Sequence, residues 1–269
     1  MAWSTQQRAM LQAMGLRTWA PPVPGLVQAP MPAPVPPAPE RVPVPPRAVP
    51  VSAHAPQATT PPAFPTALQP VASTSQVSAL DWPALRDAVA ACRACALCES
   101  RQQTVFGVGH LRAHWLIVGE APGEQEDRLG EPFVGDSGKL LDNMLRALNL
   151  TRSEAGPERQ VYIANTLKCR PPKNRNPDPA EIAQCAPFLE RQITLVQPRI
   201  ILAMGRFAAQ ALLASDEPLG KLRGRVHRYR GVPLVVTYHP AYLLRTLGDK
   251  SRAWEDLCLA ATVAEKTDA

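Results

Sequence analysis

The sequence predicts an α/β fold in three layers, with a central four-stranded parallel sheet between two layers of helices. Two observations carry this. Four short apolar runs, Trp115–Val118, Val161–Ala164, Arg199–Gly205 and Val232–Val236, each have a buried strand's length, and stretches of helical spacing separate them. Ahead of them, 18 of the 31 prolines fall between Pro21 and Pro70, in a segment rich in Ala and poor in charge. Such a segment offers little surface to bury, so residues 21–80 read as a disordered, partly polyproline II tether and the globular domain as 81–269.

The first unit, His114 to Leu145, is the most informative. Trp115-Leu116-Ile117-Val118 stops at Gly119-Glu120-Ala121-Pro122-Gly123, where Pro and Gly cannot continue a regular element. Leu140, Leu141, Met144, Leu145 and Leu148 then lie on one face of a helix. Strand, loop and helix in that order set Glu120 to Phe133 at the carboxyl end of a parallel strand, where open α/β sheets bind ligands. Neither nucleotide signature is met. G-x-G-x-x-G is absent, and Gly138-Lys139 is followed by Leu140 rather than Ser or Thr.

The remaining elements follow in order. Trp82 to Ala96 suits a helix with Leu85, Val89 and Cys92 on one side, and Val105–Gly109 reads as a loop. The helix after the second strand has Asp178 at its cap, Pro179 in its first turn and Glu181 three residues after the cap. Pro187 should kink it near Cys185. Arg206–Ala214 forms the next helix, and Asp249 caps a last one through Trp254, Leu257 and Cys258. Met1 to about residue 20 could form a short amphipathic docking helix ahead of the tether.

The net charge of +6 divides into +3 on residues 1–80 and +3 on the rest, too little to argue for nucleic acid alone. Clustering says more. Lys168, Arg170, Lys173 and Arg175 share one loop, and Lys221, Arg223, Arg225, Arg228 and Arg230 share another. Two basic loops bracketing one site favour phosphate contacts. No apolar run has the length of a membrane span, and no signal peptide core is evident, so a cytoplasmic protein with reduced or metal-bound cysteines is expected. Of six cysteines, four form two pairs, Cys92-x-x-Cys95 and Cys169-x15-Cys185, a set suited to zinc or to an iron–sulfur cluster. Cys98 extends the first pair towards a ferredoxin-like run, and Cys258 sits on an apolar helix face.

The motifs themselves resemble the family 4 uracil-DNA glycosylases. The words are GEAPGEQED with GEPFVGDSGKLLDNML, NTLKCRPPKNRNP from Asn165 to Pro177, and VTYHPAYLLR from Val236 to Arg245, in the family's order over about residues 85–265. The resemblance implies the uracil-DNA glycosylase-like fold and hydrolysis of the glycosidic bond to uracil in single- or double-stranded DNA, by a monofunctional base-excision repair enzyme. It implies a 4Fe–4S cluster on Cys92, Cys95, Cys169 and Cys185, with Cys98 a spare thiol. It also implies that Phe133 stacks on the base, that Asn165 reads its edge and that His239 donates to uracil O2. Ala121 lines the base site where the best-known uracil-DNA glycosylases carry a water-activating aspartate. Glu120 or Glu126 is then left to position water or support the sugar's developing positive charge. Lys168, Arg170, Arg223, Arg225 and Arg245 are candidate DNA contacts, with Leu243 or Leu244 a wedge for the vacated stack.

A non-catalytic reading stands beside this one. Met1 to Trp19 is similar to the amino-terminal peptide of the clamp-loader psi subunit. A glycosylase-like module tethered through residues 1–20 to a replication or repair protein is therefore the alternative, in either case a monomer.

Overall fold

The computed structural model describes residues 74–266. The expected docking helix, and all but the last few residues of the expected tether, lie outside the described residues. The described domain starts earlier than residue 81. Helix α1 (Thr74–Val77) precedes α2 (Trp82–Ala91), and Val77 is fully buried with Leu85, Val89, Phe106 and Phe188.

Six strands, β1 (Val108–Gly109), β2 (Trp115–Gly119), β3 (Tyr162–Asn165), β4 (Ile200–Met204), β5 (Val226–Tyr229) and β6 (Val232–Thr237), form one sheet in the order β1-β3-β2-β4-β6-β5. The four expected parallel strands are its centre, with Leu116 opposite Tyr162 and Ile201, and Ile201 opposite Leu234. Two antiparallel edge strands are added to the expectation. They escaped the sequence because β1 has two residues and β5, Val-His-Arg-Tyr, is a half-exposed edge with a basic alternation. Arg230 and Gly231, both at positive φ, make the two-residue turn that joins β5 to β6.

Every residue of β2, β3 and β4 is buried, as a sheet covered on both faces requires. Successive residues serve opposite layers. Trp115 and Ile117 pack with Leu141, Leu145, Trp254 and Leu257, on the side of α5 (Asp136–Ala147) and the carboxyl-terminal helix Lys250–Lys266. Leu116 and Val118 pack with Leu189, Ile193, Ala209 and Leu212, on the side of α6 (Pro179–Val196) and α7 (Arg206–Leu213). Three layers result.

Helix α6 begins as its sequence specifies: Asp178 accepts from the Ala180 N–H at 2.8 Å, and Glu181 reaches back to the Asp178 N–H at 2.9 Å. It is one helix through Pro187. Helix α2, in contrast, stops at Ala91 rather than Ala96. Cys92 is extended there, and α3 (Leu97–Ser100) follows. Cys92 and Cys95, on either side of the break, line one cavity.

The chain leaves β2 for β3 on one side and returns to β4 on the other. The order reverses at β2, so the crevice beyond its carboxyl end is the topological switch point. The carboxyl ends of β2, β3, β4 and β6 carry Glu120, Asn165, Gly205 and His239.

Candidate active site

Those four strand ends open into one cavity of about 670 Å³, lined among others by Glu120, Ala121, Glu126, Phe133, Asn165 and His239. The sequence had marked all six.

The loop after β2 is built by Glu126. It lies in α4 (Glu124–Leu129), where Oε2 accepts from the Gly123 N–H at 3.1 Å while Oε1 accepts from Val134 N–H at 3.0 Å and Gly135 N–H at 3.3 Å. Three backbone donors thus occupy this carboxylate, which ties two loops together. Glu126 thereby holds the shape of the loop while still lining the cavity.

Phe133 stands between those ties. Its backbone is left-handed, φ 55°, a conformation that costs a bulky residue free energy and persists only where neighbours over-determine it. On one flank Glu126 holds Val134 and Gly135. On the other, Arg152 donates from Nη1 to the Pro132 carbonyl at 3.1 Å and from Nε to Asp142 at 2.7 Å. Two glycines make the space: a Cβ on Gly138 would lie 1.7 Å from the Phe133 carbonyl oxygen. One on Gly119 would lie 2.6 Å from the Phe133 ring and 2.4 Å from Asn165 Oδ1.

Asn165 closes β3 and is 3 % exposed, yet its Oδ1 is buried with no hydrogen-bond partner. An orphaned buried acceptor costs about 1–3 kcal/mol, and in a native fold it marks a place where a ligand completes the count. Lys168 supports it from behind. Its ammonium is 1 % exposed and donates to the Asn165 carbonyl at 2.8 Å and to Gln192 at 2.7 Å. An enclosed ammonium cannot reach a phosphate, so Lys168 is removed from the DNA contacts. Burial pushes it down to about 8, opposed by the neighbouring Cys185 and Cys169.

His239 follows β6 and its ring stacks on Phe133, centroids 5.3 Å apart at 26°. Nδ1 accepts from the Ala241 N–H at 3.2 Å, capping α8 (Pro240–Arg245). Burial pushes its pKa down to about 4, with Glu126 opposing and Arg245 assisting. The ring is neutral at pH 7. Because Nδ1 accepts, the proton resides on Nε2, which is left as a donor. Glu120 moves the other way: desolvation pushes it up to about 6, against the opposing charge of Arg206.

The basic residues sort differently from expectation. Arg223 binds Asp256 at 3.0 Å and the Arg252 carbonyl, and Arg225 binds Glu217 at 2.8 Å. Neither lines the cavity, because β5 and the short helix before it carry that segment along the sheet edge. Arg170 is held beside the rim by Asn174 at 2.7 Å and Glu124 at 3.3 Å. Arg245 lines the cavity, Leu243 is fully buried, and Leu244 is 43 % exposed at the surface. Arg175, from the first basic loop, lines the cavity too, and so do Arg206 and Phe207, to which the sequence had given no site role. Arg206 was findable, since it follows a strand end as Glu120 does.

A second cavity holds the thiols. Cys92, Cys95, Cys98, Cys169 and Cys185 line it with Leu97, Leu167 and Phe188, while Cys258 packs against the main core. Arg101 donates to Cys169 Sγ at 3.0 Å, and the Lys168 backbone N–H donates to Cys185 Sγ at 3.3 Å. Burial pushes the Cys95, Cys169 and Cys185 thiols up, Cys185 to about 12, with Arg101 opposing at Cys169 and Lys168 at Cys185. Among the described residues, no three His, Cys, Asp or Glu side chains converge as a single metal ion would need. The thiols around this cavity, two of them accepting from N–H groups, are the residues that could hold a metal centre.

Comparison with known proteins agrees with this geometry. The model of the uracil DNA glycosylase superfamily matches residues 106–259. A type-4 uracil-DNA glycosylase of Archaeoglobus fulgidus is 40 % identical over 164 residues, covering 58 % of this chain and 79 % of the relative. One from Pyrobaculum aerophilum is 37 % identical over 188 residues, covering 67 % and 93 %. One from Thermotoga maritima is 40 % identical over 163 residues, covering 60 % and 82 %. The orphaned amide, the neutral imidazole and the strained aromatic thus stand on a scaffold of known descent: the chain belongs to the uracil-DNA glycosylase superfamily and, within it, to the type-4 group.

Proposed function

We propose that the chain removes uracil from DNA by hydrolysing the bond between the base and deoxyribose C1′, as a monofunctional enzyme of base excision repair. The observation that carries this is the unpartnered Oδ1 of Asn165, in a cavity walled by Phe133 and His239. A target base in a duplex has to be flipped out, at a cost of a few kcal/mol. Asn165 then accepts from uracil N3–H and donates to O4, while cytosine presents the opposite pattern. Phe133 and His239 are too close to admit a third ring between them, so the base meets the imidazole edge-on. That is the approach an Nε2–H needs to reach uracil O2.

As the N1–C1′ bond breaks, its electron pair passes to the uracil ring, and the Nε2–H of His239 stabilises the charge growing on O2. Water adds to C1′ and yields an abasic sugar, and the proton it gives up neutralises the departing uracil anion. Ala121 cannot accept the proton from that water. The Glu120 carboxylate, beside it and free of the three backbone ties that bind Glu126, positions the water and faces the cationic sugar.

The pH dependence follows. A carboxyl raised to about 6 is protonated below that value, so excision should fall as pH drops through about 6 and lose this limb in Glu120→Gln. His239, neutral above about 4, contributes no limb between pH 5 and 8. A limb near 6.5 that persists in Glu120→Gln contradicts the assignment. For stability the sign is reversed: ionising a desolvated carboxyl is unfavourable, so Glu120's contribution is lost as pH rises through about 6.

Cys92, Cys95, Cys169 and Cys185 would hold a 4Fe–4S cluster, with Cys98 spare. When bound, the cluster supplies folding free energy by pinning the end of α2 to the segment that runs from Asn165 to Cys169. Among the described residues no helix is long and apolar enough to cross a membrane, and a cytoplasmic monomer acting on DNA fits this reading. Residues 1–20 remain the place for a repair or replication partner. The test is direct. Anaerobically purified protein, brown from the cluster, is incubated with an oligonucleotide bearing one deoxyuridine and then treated with alkali. Cleavage at the deoxyuridine is expected. A coloured, folded preparation that leaves it intact in both single and double strands excludes the reading and favours the non-catalytic module.

A further inference from the structure

The cavity is of a size that holds a drug-sized ligand, more than one pyrimidine needs. Besides the carboxylates Glu120 and Glu126, its lining has Phe207, Leu219, Tyr238 and Tyr242 as apolar and aromatic surface and Arg206 and Arg245 among its cations. The Arg206 guanidinium lies over the Phe207 ring, 4.5 Å from its centroid, and Tyr238 stacks on Tyr242 at 5.1 Å and 18°. Arg206 is exposed and Phe207 half-buried. Neither Arg206 nor Arg245 enters an ion pair among the described residues, unlike Arg223, Arg225 and Arg230, whose charges are spent on the body of the domain.

Partly exposed aromatic rings interleaved with unpaired arginines are the chemistry that binds single-stranded nucleic acid. Rings take base faces without regard to sequence, and guanidinium groups take phosphates. We propose that Phe207, with Arg206, is a stacking platform for the base next to the flipped uracil. The proposal rests on the glycosylase reading and adds a preference for substrate form. A base lying on Phe207 inside the cavity has left its neighbours and cannot remain paired. The platform is therefore open to single-stranded DNA and closed to an intact duplex, which can deliver only the uracil.

The test uses the full chain, with one deoxyuridine oligonucleotide presented alone or annealed to its complement. Base stacking on an aromatic side chain predicts that Phe207→Ala loses roughly ten-fold in kcat/KM on the single strand and far less on the duplex, with Phe207→Trp restoring the single-strand rate. Equal losses on both forms, or none on the single strand, overturn the platform. A second measurement is independent of turnover. 2-Aminopurine is placed beside a 2′-fluorodeoxyuridine, whose glycosidic bond resists cleavage, and its fluorescence is followed as protein is added. Quenching by the wild type that Phe207→Ala lacks supports the platform, and equal quenching by both refutes it. Wild-type protein that excises uracil from neither form removes the glycosylase reading itself, a distinct result.

Discussion

Asn165→Ala should lower uracil excision on the order of a thousand-fold while leaving the protein at least as stable as before. The two halves of this result come from one observation. Asn165 Oδ1 is buried and unpartnered, so its removal breaks no hydrogen bond made through that oxygen and relieves a desolvated acceptor. In the proposed function the same atom accepts from uracil N3–H, and a site that hydrogen-bonds its substrate's polar edge discriminates by about 10⁴–10⁵-fold when that match is lost. Thermal unfolding and single-turnover excision on the same preparation check both halves. A variant that melts earlier and loses activity in proportion would assign Asn165 to the fold. A variant that keeps its activity would remove it from the site.

His239→Ala should cost about 10²–10³-fold in kcat, the usual loss when one donor to a developing oxyanion is deleted. Protonation state makes this prediction sharper. Burial holds the imidazole near 4, and the Ala241 N–H occupies Nδ1, so the native donor is a neutral Nε2–H across the physiological range. His239→Gln, whose amide can also donate, should retain more activity than His239→Ala. Loss of the Nδ1 cap on α8 should cost about 1 kcal/mol in either variant. Equal activities in the two, after correction for folded fraction, would mean that the ring acts through packing against Phe133. A wild-type rate that rises as pH falls towards 5 would mean that imidazolium is the working form.

The division of information between chain and fold can be followed residue by residue. Glu120, Asn165 and His239 were legible because each follows an apolar run at a break, and strand ends in a parallel sheet share one rim. The capping box at Asp178 was legible because it is made within four residues. Lys168 was misread for the opposite reason. It lies among exposed basic residues in sequence, and only the approach of Gln192, 24 positions away, shows that it is enclosed. Arg223 was misread because its partner, Asp256, is 33 positions away. The surroundings of Glu120 and Glu126, alike as residues, differ only through the fold, where Val134 and Gly135 donate to Glu126.

By itself the sequence determined the alternation of strands and helices, the order of the strand ends that carry chemistry, and the family to which those words belong. All three depend on residues close together in the chain, where spacing and backbone preference act. The tertiary structure alone decided which charges are spent within the domain and which face the cavity. It also left one amide oxygen without a partner and made Phe207 and Arg206 part of the site. Burial and pairing are set by groups far apart in sequence, and free charges, orphaned acceptors and desolvated rings exist only once those groups have met.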